Sequence, residues 1–218
     1  MPKQSASNSS ATQTRRKRRS SKEVSDRILE AAAEEFELSG YSGATTAAIA
    51  RRAEVTEAQI FRFYASKQDL FRAAIFKPLN EHLTSFQLRH AQAQDEAGSD
   101  RELAREYIYE LQAFIEQHSR MFMSLIVASA YSPDTTEGVG EMEGLLAYFD
   151  KGADTMTRRT GGEKPSVDTK LMVRVSFAAV LANLMFKDWL FPAGMASKEE
   201  IRDAIADFVI DGINVTQS

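Results

Sequence analysis

Between Thr56 and Arg62 the chain reads TEAQIFR, so a hydroxyl, a carboxylate, a carboxamide, a ring and a guanidinium fall within about two helical turns. A short helix whose outer face is small, hydrogen-bonding and basic suits the major groove of DNA. Gln59 can pair with a base edge, but it also stands three residues after Thr56, the spacing of a capping box; both roles are open. Arg62 projects outward to guanine edges or a phosphate, Phe61 to a thymine methyl, and Ala58 leaves room for close approach. Glu57 could accept from cytosine N4, although a carboxylate in the first turn also suits the helix N-terminus, and that electrostatic role weighs more. Thr45 and Thr46 open a preceding short helix, where hydroxyls and free N–H groups suit a phosphate; simple N-capping by Thr45 is compatible with that role.

Catalysis has little to work with. Cysteine is absent, which excludes disulfides and thiolate metal sites. The three histidines are His82, His90 and His118; His82 and His90 are eight apart, too far for a one-turn metal pair, and no glycine-rich phosphate loop occurs. The expectation is no catalytic site, metal or cofactor.

The groove-facing residues must be positioned by helices. Val24, Ile28, Ala32 and Phe36 recur every four residues as the buried stripe of a first helix that Gly40 stops, with Ser20 and Glu23 as its capping box. Ile49 with Ala50, then Ile60 with Tyr64, turn two short helices toward one small core. Ser66 and Asp69 start a long helix toward His90, which Pro78 should kink or split.

The stretch from Arg27 to Ile75 resembles the DNA-binding domain of the TetR family of bacterial repressors. Carrying the resemblance are the apolar first helix ending in Gly40-Tyr41, the Thr45-Thr46 pair, Ile49-Ala50 with Ala53, Val55-Thr56, and Ser66-Lys67 before Leu70. The resemblance implies that Gln59 often touches bases and that Lys67 binds phosphate. It also implies readout mainly from the third helix, since Ala47 and Ala48 lack side chains that relatives use from the second. Phe61 departs from the usual tyrosine, which removes a hydroxyl available to a phosphate.

The implied fold is all-α, with about nine helices: a three-helix helix-turn-helix domain over 20–66, and a helical ligand-binding and dimerisation domain over 67–218. Residues 1–19 read as a disordered arm ending in Arg15, Arg16, Lys17, Arg18 and Arg19, which could reach phosphates or a minor groove; a solvated charge run or a nuclear address competes. Residues 1–78 carry 14 Lys and Arg against 9 Asp and Glu, and the remainder carries 13 against 22, so a basic front adjoins an acidic rear.

In the rear, helices are expected from Leu103 to Ile115, through Met121–Val127 (apolar nearly all round and so deeply buried), to about Arg159, over about 167–190, and from Ser197 onward. The family keeps its effector site and dimer contacts there. Phe86, Tyr107, Phe114, Met142, Phe149 and Phe177 are candidate pocket residues, with His118 and Asn183 to orient a ligand; ordinary core packing is the competing reading. Ala178, Ala179, Ala182, Ile205, Phe208 and Val209 are candidates for a four-helix interface between two copies, though burial inside one subunit would give the same pattern.

The partners implied are a palindromic double-stranded operator, a largely apolar small effector of unknown identity and a second copy of the chain. Without an apolar signal or spanning run, a cytoplasmic protein without membrane contact is expected. The reading is a sequence-specific repressor released by ligand; the alternative is an architectural DNA-binding protein without an effector.

Overall fold

The computed structural model describes residues 20–92, 100–131, 143–159 and 167–214. These form ten helices: α1 Ser21–Gly43, α2 Thr46–Arg52, α3 Glu57–Phe63, α4 Lys67–Gln92, α5 Asp100–Gln117, α6 Ser119–Tyr131, α7 Glu143–Arg159, α8 Thr169–Met185, α9 Lys187–Leu190 and α10 Lys198–Asn214. The all-α class is as expected. The extra helix arises at Phe186, where the backbone leaves helical geometry (φ −110°, ψ 19°) and divides the helix anticipated over 167–190. Apolar residues continue across that break, so hydrophobic periodicity alone gives no warning of it.

Local caps start the main elements. Ser20 and Glu23 cap α1 reciprocally at 2.7 and 3.1 Å, and Ser197 with Glu200 precedes α10 with the same distances. Asp168 accepts from the N–H groups of Lys170 and Leu171 at the start of α8. Gly40 sits at φ +66°, a left-handed conformation that costs other residues roughly 1–2 kcal/mol, and it ends the regular part of α1.

Of the α1 stripe, Ile28, Ala32 and Phe36 are inaccessible to solvent and Val24 is half-buried, and Phe36 meets Phe71 of α4 edge to face at 4.8 Å. α4 packs against α1 on one side and α7 on the other. It continues through Pro78 as one helix rather than splitting. Proline there removes an N–H bond and costs about 3 kcal/mol in an exposed helix. Burial of Ile75, Phe76, Leu79 and Leu83 on both sides of Pro78 supports the helix across it. At Gly144 a Cβ would lie 3.1 Å from the Phe76 backbone, so glycine lets α7 approach α4 this closely.

The rear helices α5, α8 and α10 pack together, and α7 packs on α8. Buried Gln112 donates to the Arg202 carbonyl at 3.1 Å, and Tyr109 donates to Asp203 at 2.7 Å, tying α5 to α10. The expectation for α6 needs correction. Met121 and Phe122 are buried, but Met123 and Val127 are exposed. α6 packs chiefly on α1, so part of its apolar run Met121–Val127 stays open to solvent.

Candidate nucleic-acid interface

The two short helices α2 and α3 form one unit with α1, which clamps the turn between them. Arg27 reaches from α1 to donate to the Ala53 carbonyl, and its guanidinium pairs with Glu54 at 3.1 Å. Glu54 holds the left-handed position of this turn at φ +51°, where a side chain is uncommon. The Val55 N–H closes the turn on the Ala50 carbonyl at 2.9 Å. Ile49 and Ile60 are inaccessible to solvent, and the Tyr64 hydroxyl meets the Ser25 hydroxyl at 3.1 Å. Lys77 of α4 donates to Asp26 at 2.9 Å; this bond holds the Asp26 carboxyl below its ordinary range.

With its inner face fixed, α3 turns Glu57, Ala58, Phe61 and Arg62 to solvent. Phe61 is 47 % exposed, a large apolar ring standing free on the surface. Arg62 enters no ion pair among the described residues. The capping box anticipated for Thr56 and Gln59 is made: Gln59 Oε1 accepts the Thr56 N–H at 2.9 Å, and Thr56 Oγ1 accepts the Gln59 N–H at 3.2 Å. Glu57 accepts the Thr46 hydroxyl at 2.5 Å, which links α3 to α2. The Thr46 hydroxyl hydrogen is thereby used inside the protein. Thr45 caps α2, accepting the Ala48 N–H at 3.1 Å.

Lys67 opens α4 with Nζ 4.6 Å from the centre of the Tyr41 ring, and desolvation lowers its pKa. The arm residues Arg15 to Arg19 lie outside the described residues. Sequence reasoning missed the Arg27 clamp and the Thr46–Glu57 bond. Their separations of 26 and 11 residues carry no local signature.

The rear candidates divide. Phe86, Tyr107, Phe114 and His118 join His82 and His90 in a chain of ring contacts at 4.2–6.3 Å. The Tyr107 hydroxyl meets that of Tyr148 at 2.8 Å, and Tyr148 packs edge to face with Phe149 and Phe177. Burial raises the pKa of both tyrosines. Tyr148, His82 and His90 belong to this cluster although the sequence did not mark them as pocket residues; the histidines one turn on either side of Phe86 were the available signal.

His118 Nδ1 bonds the Phe114 carbonyl at 2.8 Å, and Asn183 donates to the Ala179 carbonyl at 2.8 Å, so each satisfies its own helix. Met142 lies outside the described residues. A cleft of 440 Å³ borders Ala33, Glu34, Glu37, Leu38, Gln117 and His118, between α1 and the α5–α6 junction. Another of 210 Å³ lies beside Glu116, Arg120, Met123 and Leu184. Among the described candidate pocket residues only His118 touches either cleft; the aromatic candidates are packed against one another.

The interface candidates also divide. Ala178 and Ala182 are exposed on α8, one turn apart, in line with exposed Leu171 and Val175. On α10, Phe208 is 68 % exposed. Ile205 and Val209, by contrast, are buried within the subunit, and Ala179 is half-buried. Ile205 and Val209 are covered because α10 packs that side on α5 and α8. No helix among the described residues is long and apolar enough to cross a membrane.

The model of the bacterial regulatory proteins of the tetR family matches residues 28–74, the span just built from α1 to the first part of α4. Solved structures share the fold well beyond that span. A TetR-family transcriptional regulator from Mesorhizobium loti is 18 % identical with a TM-score of 0.65, covering 91 % of this chain and 98 % of that one. One from Rhodococcus sp. is also 18 % identical at 0.65, covering 90 % and 100 %. FadR from Bacillus subtilis, solved with stearoyl-CoA, is 15 % identical at 0.56, covering 86 % and 98 %. No curated protein matches the chain.

Proposed function

The chain belongs to the tetR family of bacterial regulatory proteins, and from that premise we propose that it is a homodimeric, cytoplasmic repressor. In this reading it is released from a palindromic operator by a small, largely apolar ligand. The observation that carries the reading is the outer face of α3, where Phe61 and Arg62 stand exposed on a helix whose other side is locked into a core. A free ring beside a free guanidinium on a short, rigid helix fits base edges and the thymine methyl. Lys67, Thr45 and the basic arm would position the unit on phosphates without specifying sequence.

One reading unit spans few base pairs, so two copies are needed for useful affinity. The exposed apolar residues of α8 and α10, Leu171, Val175, Ala178, Ala182 and Phe208, support that pairing. The rear ring cluster supports an apolar ligand, which would enter by parting rings that now touch. FadR of B. subtilis holds stearoyl-CoA on a related fold, in keeping with an effector that carries an apolar chain. Ligand binding releases DNA only by as much as it favours the state whose reading helices no longer match the groove.

Selection of random duplex DNA by the purified protein tests this reading. Enrichment of an inverted repeat, bound by a dimer in sedimentation, is the expected result. Salt-dependent binding without a preferred sequence would replace it with an architectural role.

A further inference from the structure

Resting on α3 as the base-reading helix, we propose that Gln59 reads DNA as a hydrogen-bond donor only. It would then select a keto base, guanine or thymine, in place of the adenine that a free glutamine recognises with two bonds. A carboxamide has two acceptor lone pairs on oxygen and two hydrogens on nitrogen. Gln59 Oε1 takes the Thr56 N–H at 2.9 Å and faces the Thr56 hydroxyl at 3.3 Å, so both lone pairs are engaged at the helix start. The reverse orientation would aim a Gln59 N–H at the Thr56 N–H, donor against donor. Nε2, with its two hydrogens, is what remains for a ligand.

Adenine pairs with glutamine by donating from N6 to the oxygen while N7 accepts from the nitrogen. The engaged oxygen removes the first of those bonds. Guanine offers two acceptors, N7 and O6, and thymine offers O4. The neighbours point the same way. Arg62 has donors alone, Phe61 suits a thymine methyl, and one carboxylate oxygen of Glu57, the one strong acceptor on the face, is taken by the Thr46 hydroxyl.

The test is selection from random duplex DNA by the full chain and by its Gln59→Glu variant, with thermal melting of both. A carboxylate keeps one oxygen for the Thr56 N–H and turns an acceptor outward, so the capping box and the fold survive. We expect one half-site position to change from guanine or thymine to cytosine or adenine, with a preference of about tenfold or more, while the other positions hold. Adenine enriched by the unmodified chain at the position that Gln59→Glu alters would overturn the donor-only reading alone. So would a variant that leaves every position unchanged. If the unmodified chain enriches no inverted repeat, the reading helix itself fails and this proposal fails with it.

Discussion

The outer face of α3 and the rear ring cluster use polar groups and rings in opposite ways. On α3 a ring and a guanidinium stand out in solvent while local caps, the Arg27 clamp and a small core that includes Phe36 and Phe71 hold the backbone beneath them. In the rear ring cluster the rings turn inward and satisfy one another, down to the Tyr107–Tyr148 hydroxyl pair. A site for a rigid, ever-present groove can stand preformed and open. A site for an occasional apolar ligand would expose a large apolar area when empty, at roughly 25 cal/mol per Å², so closing it on itself is the more stable resting state. The contrast predicts different responses to substitution at the two ends.

The largest effect is expected where the reading domain is anchored. Phe36→Ala removes a solvent-free ring from the contact with Phe71 and should cost about 3–5 kcal/mol in chemical denaturation. The single tryptophan, Trp189, lies in the exposed part of the rear. Its fluorescence should keep its unmodified midpoint while helix content is lost earlier. Coincident transitions by both probes would mean that the ends unfold as one, and the contrast would dissolve. Next comes Arg62→Ala, expected to weaken specific DNA binding by about 1–3 kcal/mol with oligomeric state and melting temperature unchanged. Operator affinity equal to that of the unmodified chain would remove Arg62 from the reading face.

The rear offers a finer measurement. Tyr148→Phe leaves the Tyr107 hydroxyl without its partner among packed rings and should cost about 1 kcal/mol. The double variant Tyr107→Phe with Tyr148→Phe should cost less than the sum of the single changes, because it removes both ends of the bond. Additive costs would mean that water already reaches the hydroxyls and that the cluster is open at rest.

This contrast also explains what could be read from the sequence. Caps act over three residues and stripes over four, so Ser20 with Glu23, Thr56 with Gln59, and Ile28, Ala32 and Phe36 were visible as spacings and fold as the spacings say. The Glu57–Thr46 and Arg27–Ala53 bonds depend on how the helices cross, which no local pattern encodes. On α10, spacing groups Ile205, Phe208 and Val209 as one apolar set. Only packing turns Ile205 and Val209 inward and leaves Phe208 out. Apolar residues state that they seek burial, not what will bury them. That is why α6 presents Met123 and Val127 to solvent, and why the candidate pocket is a packed cluster in the resting chain.

The smallest effect concerns His82, where pH can report whether the rear cluster is closed. The imidazole lies 5.3 Å from the Phe114 ring and beside Tyr107; the titratable and charged groups around it are Glu110 of α5 at 3.3 Å, Arg89 of α4 and His118. Burial pushes its pKa below the ordinary 6.5, and Arg89 and His118 add to that, while Glu110 pulls the other way. The folded chain therefore holds fewer protons than the unfolded chain between the lowered pKa and the ordinary one. Stability from this group is complete above the ordinary value and is lost as pH falls through it toward the lowered one. Melting from about pH 7.5 to 5.5 should show a steeper decline for the unmodified chain than for His82→Phe, which keeps a ring in the cluster but cannot be protonated. Parallel declines would mean that His82 meets water as freely in the folded chain as in the unfolded one. The rear rings would then surround a wet cavity, and both ends of the molecule would hold open sites.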